Sequence, residues 1–396
     1  MTGERASGSS AARRLVLVVG IGRSGTSLFT GILGKLGFHV PRPEVEADET
    51  NPRGFSEPRW VVDLHTRLMQ ARRVTVFDSR PSAWKSMAEA VESEEAVAEL
   101  SSWLEVQFVG TENVVVKDPR TGWFLPLWLR SAEDLGVETS FATMLRFPAE
   151  VVRSARVSYG TWQNDASRAA AWLNHTLHTE LATRGARRVF VRYDDLVADW
   201  RREIRRAGEL LALPWLAGLE RSAHLEVDEF VDPGLRRSSA AWDDVALPAA
   251  LEVMLDDVWE RVSRLAEPAG DDEAARASLD EARAAYVRLY EDAQAITQSS
   301  VTAVKPRPQR ARTSDRPRQS RGRFRPRASW RARALSLVPT EHRERIRVAS
   351  ALGRLGAGGL AALPIRMALL VPPRYRERVP LPVVRAALRL LRSLRR

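Results

Sequence analysis

Four short, mostly apolar runs punctuate the first half of the chain: Leu15–Val19, Val114–Val116, Phe141–Leu145 and Arg188–Val191. They are continuous rather than alternating, which is the pattern of strands covered on both faces of a parallel sheet. Helical spacing fills the intervals. Thr26–Leu36 reads as a helix closed by Gly37, and Arg59–Gln70 as one with Val62, Leu64, Leu68 and Met69 at its apolar positions. Residues 93–108 and Ser167–Thr183 read the same way, and Pro148 suits the first turn of a helix running to about Tyr159. After the fourth run, Asp194 or Asp195 caps a further helix. Strands alternating with helices predict an α/β fold, a mostly parallel β-sheet flanked by helices. From about residue 245 the pattern turns wholly helical. Leu251, Leu255, Val258, Val262 and Leu265 keep that spacing, as do Leu279, Ala282, Tyr286 and Leu289, and both sets read as core stripes.

Charge changes the picture at the C-terminal end. The 396 residues carry a net +11, unevenly distributed. Residues 305–333 hold twelve Lys/Arg against one acid, Asp315, and residues 334–396 hold thirteen Arg against three acids. Residues 1–304 are therefore net −10, an acidic body bearing a basic tail. The expected organisation is a disordered N-terminus over 1–13, one folded domain over 14–298, a basic disordered linker over 299–333 and a basic amphipathic helical tail over 334–396. In that tail Arg385, Arg389, Arg392 and Arg396 recur beside Val384, Leu388, Leu391 and Leu394. A solvated linker is the plain reading of 300–333. For the helical end, an anionic membrane surface ranks ahead of nucleic acid, because the tail has few aromatics and no folded reader.

The chain has no cysteine, which excludes disulfide staples, thiolate metal sites and a Cys nucleophile. Met1–Arg14 shows no secretory pattern, and the late apolar stretch Leu355–Val371 is broken by Pro364 and Arg366. The expected location is cytoplasmic, with the tail able to rest on the inner face of the membrane.

Chemistry enters at the first strand–helix junction. It reads Gly20-Ile21-Gly22-Arg23-Ser24-Gly25-Thr26-Ser27. The spacing is nearly that of a nucleotide-binding P-loop, whose backbone N–H groups and following helix N-terminus hold a phosphate. Yet the lysine that should follow the second glycine is Thr26, and a basic residue, Arg23, stands before that glycine. Asp118, at the end of the second strand, is flanked by Lys117 and Arg120, which compete with any cation. The expected ligand is therefore a shorter anion than a nucleoside triphosphate, neutralised by side chains with no metal.

These residues resemble those of the sulfotransferases that use 3′-phosphoadenosine 5′-phosphosulfate (PAPS). Arg23-Ser24-Gly25-Thr26-Ser27 is similar to the family's 5′-phosphosulfate loop, and Arg146 with Ser154, eight residues on, is similar to its 3′-phosphate pair. The usual acidic residue or Asn beside Pro148 is replaced by Phe147 and Ala149. Asn51-Pro52-Arg53-Gly54-Phe55-Ser56-Glu57, Lys117-Asp118-Pro119-Arg120 and Arg192-Tyr193-Asp194-Asp195-Leu196 resemble further elements of bacterial members and of the tyrosylprotein branch. The five elements occur in order over roughly residues 14–240.

The resemblance implies a P-loop nucleotide-binding fold and transfer of a sulfuryl group from PAPS to a hydroxyl or amine. It places Gly22, Arg23, Ser24, Gly25, Thr26, Ser27, Arg146 and Ser154 on the donor, with Arg236 as an outlying member. Arg23 and Lys117 would stabilise charge in the transition state. Pro119 occupies the position of the base in cytosolic members, so the base falls to Glu57, with His65, Glu46 and Asp48 as weaker candidates. A plainer reading makes Glu57 a surface carboxylate paired with Arg53 or Arg59. His175 and His178, at i and i+3, read as structural. Acceptor pockets in such enzymes lie on variable segments, here 40–110 and 155–180. A carbohydrate, glycolipid or small-molecule hydroxyl is the expected acceptor. Two alternatives stand beside this reading: a P-loop kinase or other nucleoside-triphosphate enzyme, and a non-catalytic phosphoadenosine- or nucleic-acid-binding protein. Oligomeric state is not legible.

Overall fold

The sheet has four strands in the order β2-β1-β3-β4, all parallel: β1 Arg14–Val19, β2 Asn113–Lys117, β3 Glu138–Leu145 and β4 Arg187–Arg192. The structure is a computed structural model that describes residues 12–160, 162–219, 224–231, 234 and 240–298. Residues 1–11, Arg236, the whole linker expected over 299–333 and the tail expected over 334–396 lie outside the described residues. All four strands contain the runs read from the sequence and extend them by one to three residues at their ends.

Parallel neighbours need long crossovers, and helices supply them. Helix α1 (Thr26–Lys35), α2 (Arg59–Ala71), α3 (Ser82–Val91) and α4 (Glu94–Gln107) lie between β1 and β2. A 3₁₀ turn at Thr121–Phe124 and α5 (Leu125–Asp134) precede β3, and α6 (Pro148–Tyr159) and α7 (Asp165–Ala182) precede β4. Then come α8 (Tyr193–Ala198), α9 (Trp200–Leu210), α10 (Pro214–Ala217), α11 (Leu225–Phe230), α12 (Ala249–Arg264) and α13 (Glu273–Ile296). No secondary element was expected where α3 and α5 stand. Neither helix has a side-chain cap. Both are held by tertiary packing, with Trp84 of α3 stacked on Trp123 at 3.8 Å.

Each strand presents its alternate residues to two different cores. Leu15, Leu17 and Val19 pack with Val114, Val116 and Phe141 under α2–α5. Val16 and Val18 pack with Val115, Ala142, Met144 and Val189 under α1 and α9. A third cluster joins α6, α7, α12 and α13 around Trp172, Leu255, Val258 and Leu279. On α2 the buried stripe is Val61, Leu64, His65 and Met69, whereas Val62 and Leu68 are half-buried. The helix is thus rotated by about one residue from the expected face, because His65 is drawn inward.

That inward turn has a chemical cause. His65 Nδ1 lies 2.7 Å from Asp118 Oδ2, and Trp128 Nε1 donates to His65 Nε2 at 3.1 Å. Indole nitrogen only donates, so Nε2 is the acceptor and Nδ1 carries the proton. Burial lowers the His65 pKa despite Asp118. His175 and His178 sit beside Trp84 and Trp123, and burial pushes them down to about 4 and about 3. The unfolded chain protonates these groups near pH 6.5. The folded values are lower, so their stabilising contribution is complete above about pH 6.5 and is lost as pH falls towards 4. Urea unfolding is expected to show stability falling by about 1.4 kcal/mol per pH unit per histidine below that point. Equal stability at pH 7.5 and pH 5 would contradict the assignment.

Candidate active site

In a parallel sheet all strands end on one edge. Here Gly20, Asp118, Arg146 and Tyr193 follow β1, β2, β3 and β4 directly. The strand order reverses between β1 and β3, and a crevice at such a switch point is where ligands bind in open α/β sheets. The loop from Gly20 to Gly25 and the side chain of Arg146 occupy that crevice.

The loop takes its shape from left-handed residues. Gly25 has φ +96° and Arg23, unusually for a non-glycine, +76°. A Cβ on Gly25 would stand 2.4 Å from the Tyr193 ring, so that position tolerates only glycine. Helix α1 then begins with neither a side-chain cap nor an acid in its first turn, leaving its N-terminus suited to an anion. Ser24 Oγ is buried without a hydrogen-bond partner.

Three cations border the same cleft. Arg23 donates from Nε to Ser154 Oγ at 3.0 Å and from Nη2 to the Thr50 carbonyl at 3.3 Å. Arg146, nearly buried, donates from Nε to Glu150 at 2.8 Å and from Nη1 to the Arg23 carbonyl at 3.2 Å, and lies 4.4 Å over the Tyr193 ring. Lys117 Nζ donates to Ser27 Oγ at 3.0 Å, to the Phe55 carbonyl at 3.2 Å and to Glu57 Oε1 at 2.6 Å. Arg23, Gly25, Thr26, Ser27, Lys117 and Arg146 all line this cleft. Gly22, Ser24 and Ser154 do not line it, and Ser154 accepts from Arg23, which does.

Glu57 is 8% exposed and held by Lys117, which rules out a surface pairing with Arg53 or Arg59. Asp118 is completely buried. Burial would raise its pKa, but the hydrogen bond from His65 and the Arg120 guanidinium at 2.6 Å outweigh it and keep the carboxyl ionised. Its oxygens are therefore committed to protein partners. The three weaker base candidates fare poorly. His65 has both ring nitrogens engaged in the core. Asp48 accepts from Thr50 and Asn51, and the Thr50 hydroxyl bond above all lowers its pKa. Glu46 is exposed and outside the cleft. Arg236 lies outside the described residues.

Sequence reading passed over two contributors. Tyr193 stood out only as part of the Arg192–Leu196 element, yet its ring both packs on Gly25 and carries Arg146. Asn51 donates to the Gly54 carbonyl at 2.6 Å and to Ser27 Oγ at 3.4 Å, closing the loop before Glu57 against α1. The signal for Asn51 was present in the Asn51–Glu57 element. Tyr193 belongs to the Arg192–Leu196 element, but that element gave it no place beside the loop.

The profile of a family described as the Sulfotransferase family matches residues 16–216. No curated protein matches the chain. Among solved structures, the sulfotransferase domain from the Synechococcus PCC 7002 olefin synthase is similar at 22% identity, covering 64% of this chain and 95% of that one, with a TM-score of 0.38.

Proposed function

The chain belongs to the Sulfotransferase family, and from that premise we propose that it transfers a sulfuryl group from PAPS to a hydroxyl or amine of a carbohydrate, glycolipid or small-molecule acceptor. The observation that carries the reading is the convergence of Arg23, Lys117 and Arg146, from three separate segments, on the cleft at the N-terminus of α1. The residues fit a ligand with two anionic ends. The left-handed loop, the open first turn of α1 and the cleft-lining Thr26 and Ser27 suit the 5′-phosphosulfate. Arg146, with Ser154 beside Arg23, suits the 3′-phosphate.

Bound there, PAPS supplies a sulfuryl group: the acceptor oxygen forms a new bond to sulfur as the bond to the 5′-phosphate oxygen breaks, and 3′-phosphoadenosine 5′-phosphate leaves with that electron pair. Arg23, the loop amides and Lys117 neutralise the charge developing on the leaving side. A donor in such a position is commonly worth about 3–4 kcal/mol. Glu57 takes the acceptor's proton. The cationic side chains do the neutralising that a metal performs elsewhere, and Asp118 is engaged by His65 and Arg120.

The test is calorimetry of the full chain against 3′-phosphoadenosine 5′-phosphate, ATP and GTP, each with and without magnesium. Binding of the first alone, independent of magnesium, is the expected result. Magnesium-dependent preference for ATP would favour the kinase reading and overturn this one.

A further inference from the structure

A second cavity, of about 440 Å³, adjoins the cleft. Phe55, Glu57, Pro119 and Tyr159 line both, so the two spaces adjoin along these four residues, of which Glu57 is the only carboxylate. Away from that junction the wall is largely carbon: Val45, Met69, Val74, Val76, Phe77 and Trp162. Met69, Val74 and Phe77 are at most 5% exposed and belong to the packed core, so this part of the wall is preformed. Trp162 stands at the rim, 65% exposed. The volume falls within the roughly 300–1,000 Å³ of small-molecule sites, which hold ligands by burying apolar surface and orient them with a few polar groups. Here the polar groups at the junction are Glu57 and Tyr159, with Arg120, Thr66, Gln70 and Thr75 elsewhere on the wall.

We propose that the acceptor is an alcohol or phenol with an apolar body, which fills this cavity and presents one hydroxyl to Glu57. This rests on the sulfuryl-transfer reading of the cleft and narrows it. A free sugar would turn several hydroxyls towards Val74, Val76 and Phe77, where they find no partners, and each unpaired polar group counts against binding. An alkyl or aryl body meets the same wall without that loss. The proton leaves the single hydroxyl at the junction, where Glu57 faces both spaces.

The experiment titrates the full chain, saturated with 3′-phosphoadenosine 5′-phosphate, with n-alkanols from butanol to decanol, with 2-naphthol and with glucose. Affinity should rise roughly fourfold per added methylene until the cavity is full, 2-naphthol should bind, and glucose should not. Val76 is half-buried at the edge of the core and Trp162 is exposed, so a thermal melt of Val76→Asp accompanies its titration, and Trp162→Ala tests the cavity without touching the core. Each should weaken 2-naphthol at least tenfold with 3′-phosphoadenosine 5′-phosphate affinity unchanged. A flat chain-length series, or glucose bound in preference, overturns the proposal. So does Val76→Asp weakening the nucleotide instead, which would assign the cavity to the donor. Failure of the nucleotide to bind at all would strike the donor reading. Naphthol and alkanols titrated without nucleotide then still report on the cavity, and their failure to bind it overturns the proposal separately.

Discussion

Glu57→Gln is expected to lower turnover by about 10²–10⁴-fold while 3′-phosphoadenosine 5′-phosphate binds as before, the signature of a lost general base. Glutamine keeps the shape of the side chain, and its amide oxygen can still accept from Lys117, which now donates to Glu57 Oε1 at 2.6 Å. What it cannot do is take a proton. The fall should therefore appear in kcat, measured as release of 3′-phosphoadenosine 5′-phosphate from PAPS with an acceptor present. Lys117→Ala gives a contrasting result. It removes a cation from the leaving side and leaves the buried Glu57 carboxylate unpaired, so both activity and thermal stability should fall. Turnover of Glu57→Gln at the wild-type rate would place the base elsewhere.

Arg23→Ala should weaken 3′-phosphoadenosine 5′-phosphate by about 10- to 150-fold, the loss of about 1.5–3 kcal/mol that accompanies removal of a charged hydrogen-bonding partner. Arg23 bridges Ser154 and the Thr50 carbonyl and engages no buried carboxylate, so its loss should leave the melting temperature nearly unchanged. Arg146→Ala differs in a diagnostic way. It should weaken the same ligand and also destabilise the fold, because Glu150, 4% exposed, then loses its guanidinium. Calorimetry and thermal melts on both variants separate the two effects. Unchanged affinity in Arg23→Ala would remove this arginine from the donor site.

The two arginines illustrate what could be read without coordinates. Arg23 and Arg146 were both legible, one by its place in a glycine-rich loop and the other by the strand end it closes. Their relationship was not. The contact between Arg23 and Ser154 spans 131 positions, and it exists because β3 lies beside β1 in the sheet. Glu57 and Lys117 are 60 positions apart, and neither carries a local sign of the other. His65 read as a weaker candidate for the base, whereas Asp118 and Trp128 close on its two nitrogens. Tyr193 stood in a legible element, but its contacts with Gly25 and Arg146 had no local sign.

By itself, then, the sequence determined the alternation of strands and helices, the glycine-rich loop after the first strand and the division of charge along the chain. These follow from side-chain periodicity, turn chemistry and composition, which act over a few neighbouring residues or over whole segments. Only the tertiary structure decided that Lys117 holds Glu57, that Tyr193 supports Arg146 against Gly25, and that a largely apolar cavity shares Glu57 with the cleft. Those outcomes depend on strand order and on which helix faces the sheet buries. They are settled by long-range packing, which no window of the chain contains.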